Sequence, residues 1–166
     1  MNRYLTWINI GLSILLIYAI LLGSLFYLPF LDLPNHATRA YLIGEVISGS
    51  KFTSSFVFEP RFQPYILGDL VFAVILKVLP FNSGALFWLV ALFIGFPLSI
   101  IFYLKTRGES NETQLLIFLL CPFLATNYFF LSGYTSFCFS FILSFLALGF
   151  WERHVRSHEH NIRNYI

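Results

Sequence analysis

Residues 78–104 read VLPFNSGALFWLVALFIGFPLSIIFYL, a stretch without one charged side chain that stops at Lys105-Thr106-Arg107. A helix rises about 1.5 Å per residue and the hydrocarbon core of a bilayer is about 30 Å thick, so about twenty such residues cross it. A helix at the surface of a soluble domain carries an apolar stripe and a polar face, and this segment has no polar face. It predicts a membrane span, and the rest of the chain is read outward from it.

Toward the C-terminus a second uncharged run, residues 113–151, is long enough for two minimal spans around a reversal. The reversal is expected near Asn127–Gly133, where Asn127, Ser132 and Gly133 supply the breaker chemistry. Beyond Trp151 the chain turns polar and basic, with Arg153, His154, Arg156, His158, His160 and Arg163. Toward the N-terminus, residues 4–31 form another uncharged run, too long for the apolar core of a cleavable signal peptide. Residues 62–80 are apolar but interrupted by Asp69 and Lys77.

Composition agrees. The chain is 58% hydrophobic, 20% aromatic and 11% charged, against roughly a quarter charged in soluble domains. A chain of 166 residues cannot bury that much apolar surface in one soluble core. The net charge of +2 and the absence of a long Lys/Arg block argue against nucleic acid as a partner. Cys121 and Cys138 lie inside apolar runs without metal-ligand spacing and are expected to be plain buried thiols.

The expected fold is an all-α membrane protein, one unit over 1–166. It is a polytopic helical bundle of about four transmembrane helices, near 5–29, 84–104, 113–131 and 134–151. A long first external loop, 32–83, carries interfacial helices near 34–48 and 63–79. The segment 62–80 is the topological question, because a fifth span there with the N-terminus outside also satisfies the positive-inside rule. Asp69 and Lys77, each costing about 2.5–3.5 kcal/mol at the centre of a lipid-exposed span, favour an interfacial or re-entrant helix. Lys105/Arg107 and Arg153/Arg156 then share the cytoplasmic side with Arg3, in a multi-pass protein of the cell membrane, a bacterial inner membrane being the expected one. Asp69 and Lys77 lie two turns apart, too far to pair with each other, and are read as interfacial charges.

Long loops carry function when they are ordered, and the start of this one, Asp32-Leu-Pro-Asn-His36-Ala-Thr-Arg39, is its most informative part. Pro34 suits the first position of a helix, which is expected to run to Ser48 and close at Gly49. His36 and Arg39, three apart, share a side of it. Asp32 stands just before the positive end of the helix dipole. A fixed carboxylate beside a His and an Arg at headgroup depth suits activation of an acceptor hydroxyl while the cations hold a lipid phosphate. The plainer alternative is a capping aspartate with headgroup-facing cations. Glu59 and Arg61, in Glu59-Pro60-Arg61, are further candidates for holding a sugar hydroxyl or a phosphate.

This pattern resembles the N-terminal part of the GT-C glycosyltransferases, polytopic enzymes that include the protein mannosyltransferase and aminoarabinose transferase relatives. The stretch from Asp32 to Arg39 is similar to a D-x-P-x-H-x-x-R entry of some bacterial members. Gln63-Pro64-Tyr65 resembles the opening of the family's second interfacial helix, and Gly133-Tyr-Thr-Ser-Phe the start of a later span. The resemblance implies sugar transfer from a polyprenyl-phosphate donor at the extracytoplasmic face, with Asp32 as the reacting carboxylate. His36, Arg39, Glu59 and Arg61 would bind the substrate, and membrane lipid is the other partner. The second acid often adjacent to the family's first-loop aspartate is replaced here by Leu33, which leaves the cofactor, a divalent metal among the choices, unknown. Family enzymes have about twice as many spans, so the chain is expected to be the N-terminal part of a larger protein. The alternative reading is a small non-enzymatic multi-pass protein, such as a lipid-linked-sugar flippase or an accessory subunit.

Overall fold

The computed structural model describes residues 9–17, 20, 32–49, 66–126 and 128–163. Among these, helix is the only regular structure. The elements are α1 (9–17), α2 (Leu33–Ile47), α3 (Ile66–Val78), α4 (Phe81–Arg107), α5 (Asn111–Ala125), α6 (Tyr128–Leu131) and α7 (Thr135–Arg163). The expected span 5–29 falls largely outside the described residues, and so do Glu59, Arg61 and Gln63-Pro64-Tyr65.

The helices expected near 34–48 and 63–79 are present as α2 and α3. Pro34 sits in the first turn of α2, and Gly49 follows its C-terminus with φ of 69°. The span expected near 84–104 lies within α4, and the one near 134–151 within α7, which continues through the polar tail to Arg163. Residues 113–131 depart from expectation: they divide into α5, ending at Ala125, and the single turn α6. The break falls at Thr126, which forms a turn directly after α5 and whose hydroxyl bonds back to the Phe123 carbonyl, a local bond that competes with the helical ladder. The fifteen residues of α5 extend about 22 Å, less than the hydrocarbon thickness. Two helices, α4 and α7, are long and apolar enough to cross a membrane. Only 28% and 22% of their apolar windows are buried, unlike the core helix of a soluble protein. Their outward surfaces carry Phe87, Leu98, Leu148, Phe150 and Trp151.

Packing directions follow from which residues meet. His36 meets Asp69 and Glu45 meets Lys77, so α2 and α3 run parallel. Phe72 stacks on Trp88, with ring centroids 5.4 Å apart, and Leu76 reaches Gly84, so α3 and α4 are antiparallel across Leu79-Pro80. Trp88 contacts Phe139, Phe96 contacts Phe141 and Phe102 contacts Phe150, so α4 and α7 are parallel, with α5 as the return. The core at the centre of this arrangement includes Ala37, Ala40, Phe72, Ala73, Trp88, Leu92, Phe93 and Ile142.

The two ends of the α4–α7 pair differ chemically. At one end the Arg156 guanidinium donates to the carbonyl of Arg107 and pairs with Glu152, closing the C-terminus of α4 among Lys105, Arg107 and Arg153. At the other end the chain reverses at Ser132-Gly133 and enters α7. Gly133 has φ of 81°, the left-handed region that glycine alone enters cheaply. A Cβ there would lie 2.6 Å from the backbone nitrogen of Leu33. The Asp32 N–H donates to the Ser132 carbonyl at 3.0 Å. The reversal thus clips the start of α2 against the start of α7.

Candidate functional site

That clip sets the position of Asp32, the residue immediately before α2. Its backbone serves as the helix cap, but its side chain makes no capping hydrogen bond. The carboxylate turns instead along the helix. Oδ1 accepts from the Asn35 amide at 3.1 Å, and Oδ2 lies 3.1 Å from Nε2 of His36. Both oxygens are held, and 32% of the side chain stays exposed. A carboxylate kept for capping would face the first free N–H groups of the helix; this one faces a ring and an amide.

His36, one turn on, is enclosed, with 7% of its side chain exposed. Its second ring nitrogen, Nδ1, lies 2.9 Å from Oδ1 of Asp69. Asp69 comes from the first turn of α3 and is only 1% exposed. Its other oxygen is 2.5 Å from Nε of Arg39, a contact ion pair and not an aligned hydrogen bond. Arg39 also places Nη2 2.8 Å from Nδ1 of His36. Its side chain is 42% exposed.

The third wall is α7. Ser136 Oγ is 3.3 Å from Oδ1 of Asp69 and 3.4 Å from Nδ1 of His36. This proximity depends on Gly68, because a Cβ there would sit 3.1 Å from Ser136 Oγ and 3.3 Å from its Cα. The site is therefore built by three helices: α2 supplies Asp32, Asn35, His36 and Arg39, α3 supplies Asp69, and α7 supplies Ser136. A buried carboxylate costs several kcal/mol unless paired and hydrogen-bonded, and Asp69 has a guanidinium, a ring nitrogen and a hydroxyl around it.

No protein-family model, curated protein or solved structure matches this chain. The chemistry of the site rests on its geometry.

Three of the residues expected from sequence, Asp32, His36 and Arg39, come together; Glu59 and Arg61 lie outside the described residues. Asp69 was expected as a surface charge and is a buried member of the site. Its signal in the sequence is a lone acid in an apolar helix, which by default marks function. As expected, Asp69 and Lys77 do not pair with each other. Lys77 reaches α2 separately, 2.6 Å from Glu45 Oε1 and 2.8 Å from Ser48 Oγ. Ser136 has no signal of its own in the sequence, since a serine in an apolar span commonly bonds its own helix, as Ser140 and Ser144 do here.

Among the described residues no group of three or more His, Cys, Asp and Glu side chains is arranged to hold a metal ion. The cluster pairs two carboxylates with a guanidinium and a ring, an arrangement suited to holding a carboxylate in place and handling a proton.

Proposed function

We propose that this chain is the site-bearing part of a multi-pass membrane glycosyltransferase, transferring a sugar from a polyprenyl-phosphate donor at the extracytoplasmic face. The observation that carries the reading is Asp32: a carboxylate at the head of a helix, not used as a cap, held at both oxygens and still one-third exposed. In this role Asp32 accepts the proton of the acceptor hydroxyl. His36 holds Asp32 in place from the buried side, and the half-exposed Arg39 side chain brings the positive charge that attracts the donor phosphate.

Placement of the site supports the face. Twenty residues of α7 separate Ser136 from Arg156, about 30 Å of helix and close to the hydrocarbon thickness. The basic end, with Lys105, Arg107, Arg153 and Arg156, fits the cytoplasmic side, where such residues accumulate. The Asp32 cluster then opens on the opposite side, where polyprenyl-linked sugars are used. In this topology α4 and α7 cross the bilayer in the same direction, α5 together with α6 carries the chain back between them, and α2 and α3 pack beside them near the outer boundary. The thirteen residues of α3 extend about 20 Å, too short to cross on their own.

The test is sugar transfer in membranes from a polyprenyl-phosphate sugar. Asp32→Asn preserves shape and hydrogen bonding while removing basicity. It is expected to lower transfer by at least about a hundredfold with protein abundance unchanged. Arg39→Ala is expected to raise the donor concentration needed for half-maximal rate. Near-normal turnover by Asp32→Asn overturns the reading and favours a non-enzymatic carrier of lipid-linked sugars.

A further inference from the structure

The two ring nitrogens of His36 face different aspartates. Nε2 lies 3.1 Å from Oδ2 of Asp32, and Nδ1 lies 2.9 Å from Oδ1 of Asp69. Nδ1 also has Nη2 of Arg39 at 2.8 Å, a group that only donates. An acceptor and a donor therefore stand beside the same nitrogen, and Nδ1 has a partner whether or not it carries the proton. Ser136 Oγ, 3.4 Å from Nδ1 and 3.3 Å from Oδ1 of Asp69, turns to donate or accept. Among the described residues, the charged and polar groups facing the ring are Asp32 and Arg39 from α2, Asp69 from α3 and Ser136 from α7.

We propose that Asp32, His36 and Asp69 form a proton relay running from the exposed carboxylate to a buried one, with Asp69 as the inner terminus. This rests on the reading of Asp32 as the group that takes the acceptor's proton. A proton on Oδ2 of Asp32 passes to Nε2 of His36 as the Nδ1 proton passes to Oδ1 of Asp69. An O–H bond at Asp32 and an N–H bond at Nδ1 break; an N–H bond at Nε2 and an O–H bond at Asp69 form. The ring ends neutral with its tautomer inverted, and nothing is oxidised or reduced. In the product state the Asp69 hydroxyl donates back to Nδ1, the Nε2 proton donates to Asp32, and Asp32 is again a carboxylate. The relay resets when the proton returns through the ring and leaves Asp32 to water. Asp69, 1% exposed against 32% for the Asp32 side chain, holds the proton away from the reacting hydroxyl.

The experiment reads protonation and not sugar transfer. The purified full chain in lipid nanodiscs is titrated by infrared difference spectroscopy on the protonated-carboxyl band of Asp32, assigned by its loss in Asp32→Asn. Groups coupled through a shared ring titrate as a unit, so Asp69→Asn is expected to move the Asp32 midpoint by about one pH unit. In a His36→Gln background, whose amide bridges but passes no proton, the same exchange is expected to move it by under about a third of that. His36→Met serves the same purpose if the Gln protein does not assemble. No shift with His36 present, or an equal shift with and without it, overturns the relay. A protein that shows the coupling and transfers no sugar keeps the relay and loses the transferase reading; one that transfers sugar without coupling loses the relay alone.

Discussion

Oδ1 of Asp69 lies 2.9 Å from Nδ1 of His36, although thirty-three positions separate the two residues. This contact joins α3 to α2 at the end where both approach α7. The Lys77–Glu45 pair, at 2.6 Å, joins them at the other end. The two joints differ in kind. The first is enclosed, whereas Lys77 is 41% exposed, where ion pairs of this sort contribute about 0–1 kcal/mol.

Asp69 is therefore expected to carry stability as well as chemistry. Asp69→Ala removes the acceptor facing both the enclosed ring and Arg39 Nε, and breaking a buried pair in this way costs about 3–5 kcal/mol. Asp69→Asn keeps an acceptor toward the ring and is expected to cost distinctly less. Lys77→Met, at the exposed joint, is expected to cost under about 1 kcal/mol. Reversible unfolding in mixed micelles checks the order. Equal losses for Asp69→Ala and Lys77→Met would contradict the burial of the first joint.

Two glycines separate backbone strain from packing. Gly133 has φ of 81°, and a Cβ there meets the backbone of Leu33 and Asp32, which cannot turn aside. A Cβ at Gly95 meets only the tip of Ile142, at 3.1 Å. Gly133→Val is expected to lower folded membrane yield sharply, with the left-handed backbone alone costing about 1–3 kcal/mol, and Gly95→Val to lower it less. Equal yields would count against the Ser132–Gly133 clip.

The parallel packing of α4 and α7 brings Ser110 and Ser157 to one end and leaves Tyr134 at the other. In a background lacking Cys121 and Cys138, single cysteines at Ser110 and Ser157 are expected to resist an impermeant external thiol reagent, and one at Tyr134 to react. Labelling of Ser110 and Ser157 on opposite sides would refute the parallel pair. Labelling of both from outside would leave the fold intact and invert the proposed orientation.

Much of this was written in local chemistry. Absence of charge over 78–104, against an aqueous alternative that no soluble core could accommodate, determined α4 as a helix fit to cross a membrane. Pro34 and Gly49 bracket α2, and the i, i+3 spacing of His36 and Arg39 puts them on one side, because these are properties of one helix turn. The reversal at Gly133 was legible from its residue type.

Tertiary structure alone decided the site. Hydropathy records how costly Asp69 is in an apolar helix, but not which partners offset that cost, because they come from α2 and α7. The parallel course of α2 and α3 and the approach of Ser136 allowed by Gly68 depend on how helices pack. The division of residues 113–131 into α5 and α6 shows the limit of an apolar count: it measures the affinity of a segment for lipid, whereas continuity of the helix depends on backbone hydrogen bonds that such a count does not register. Periodicity and composition constrain the surface a segment presents. Contacts across thirty-three or a hundred positions arise only when those surfaces meet.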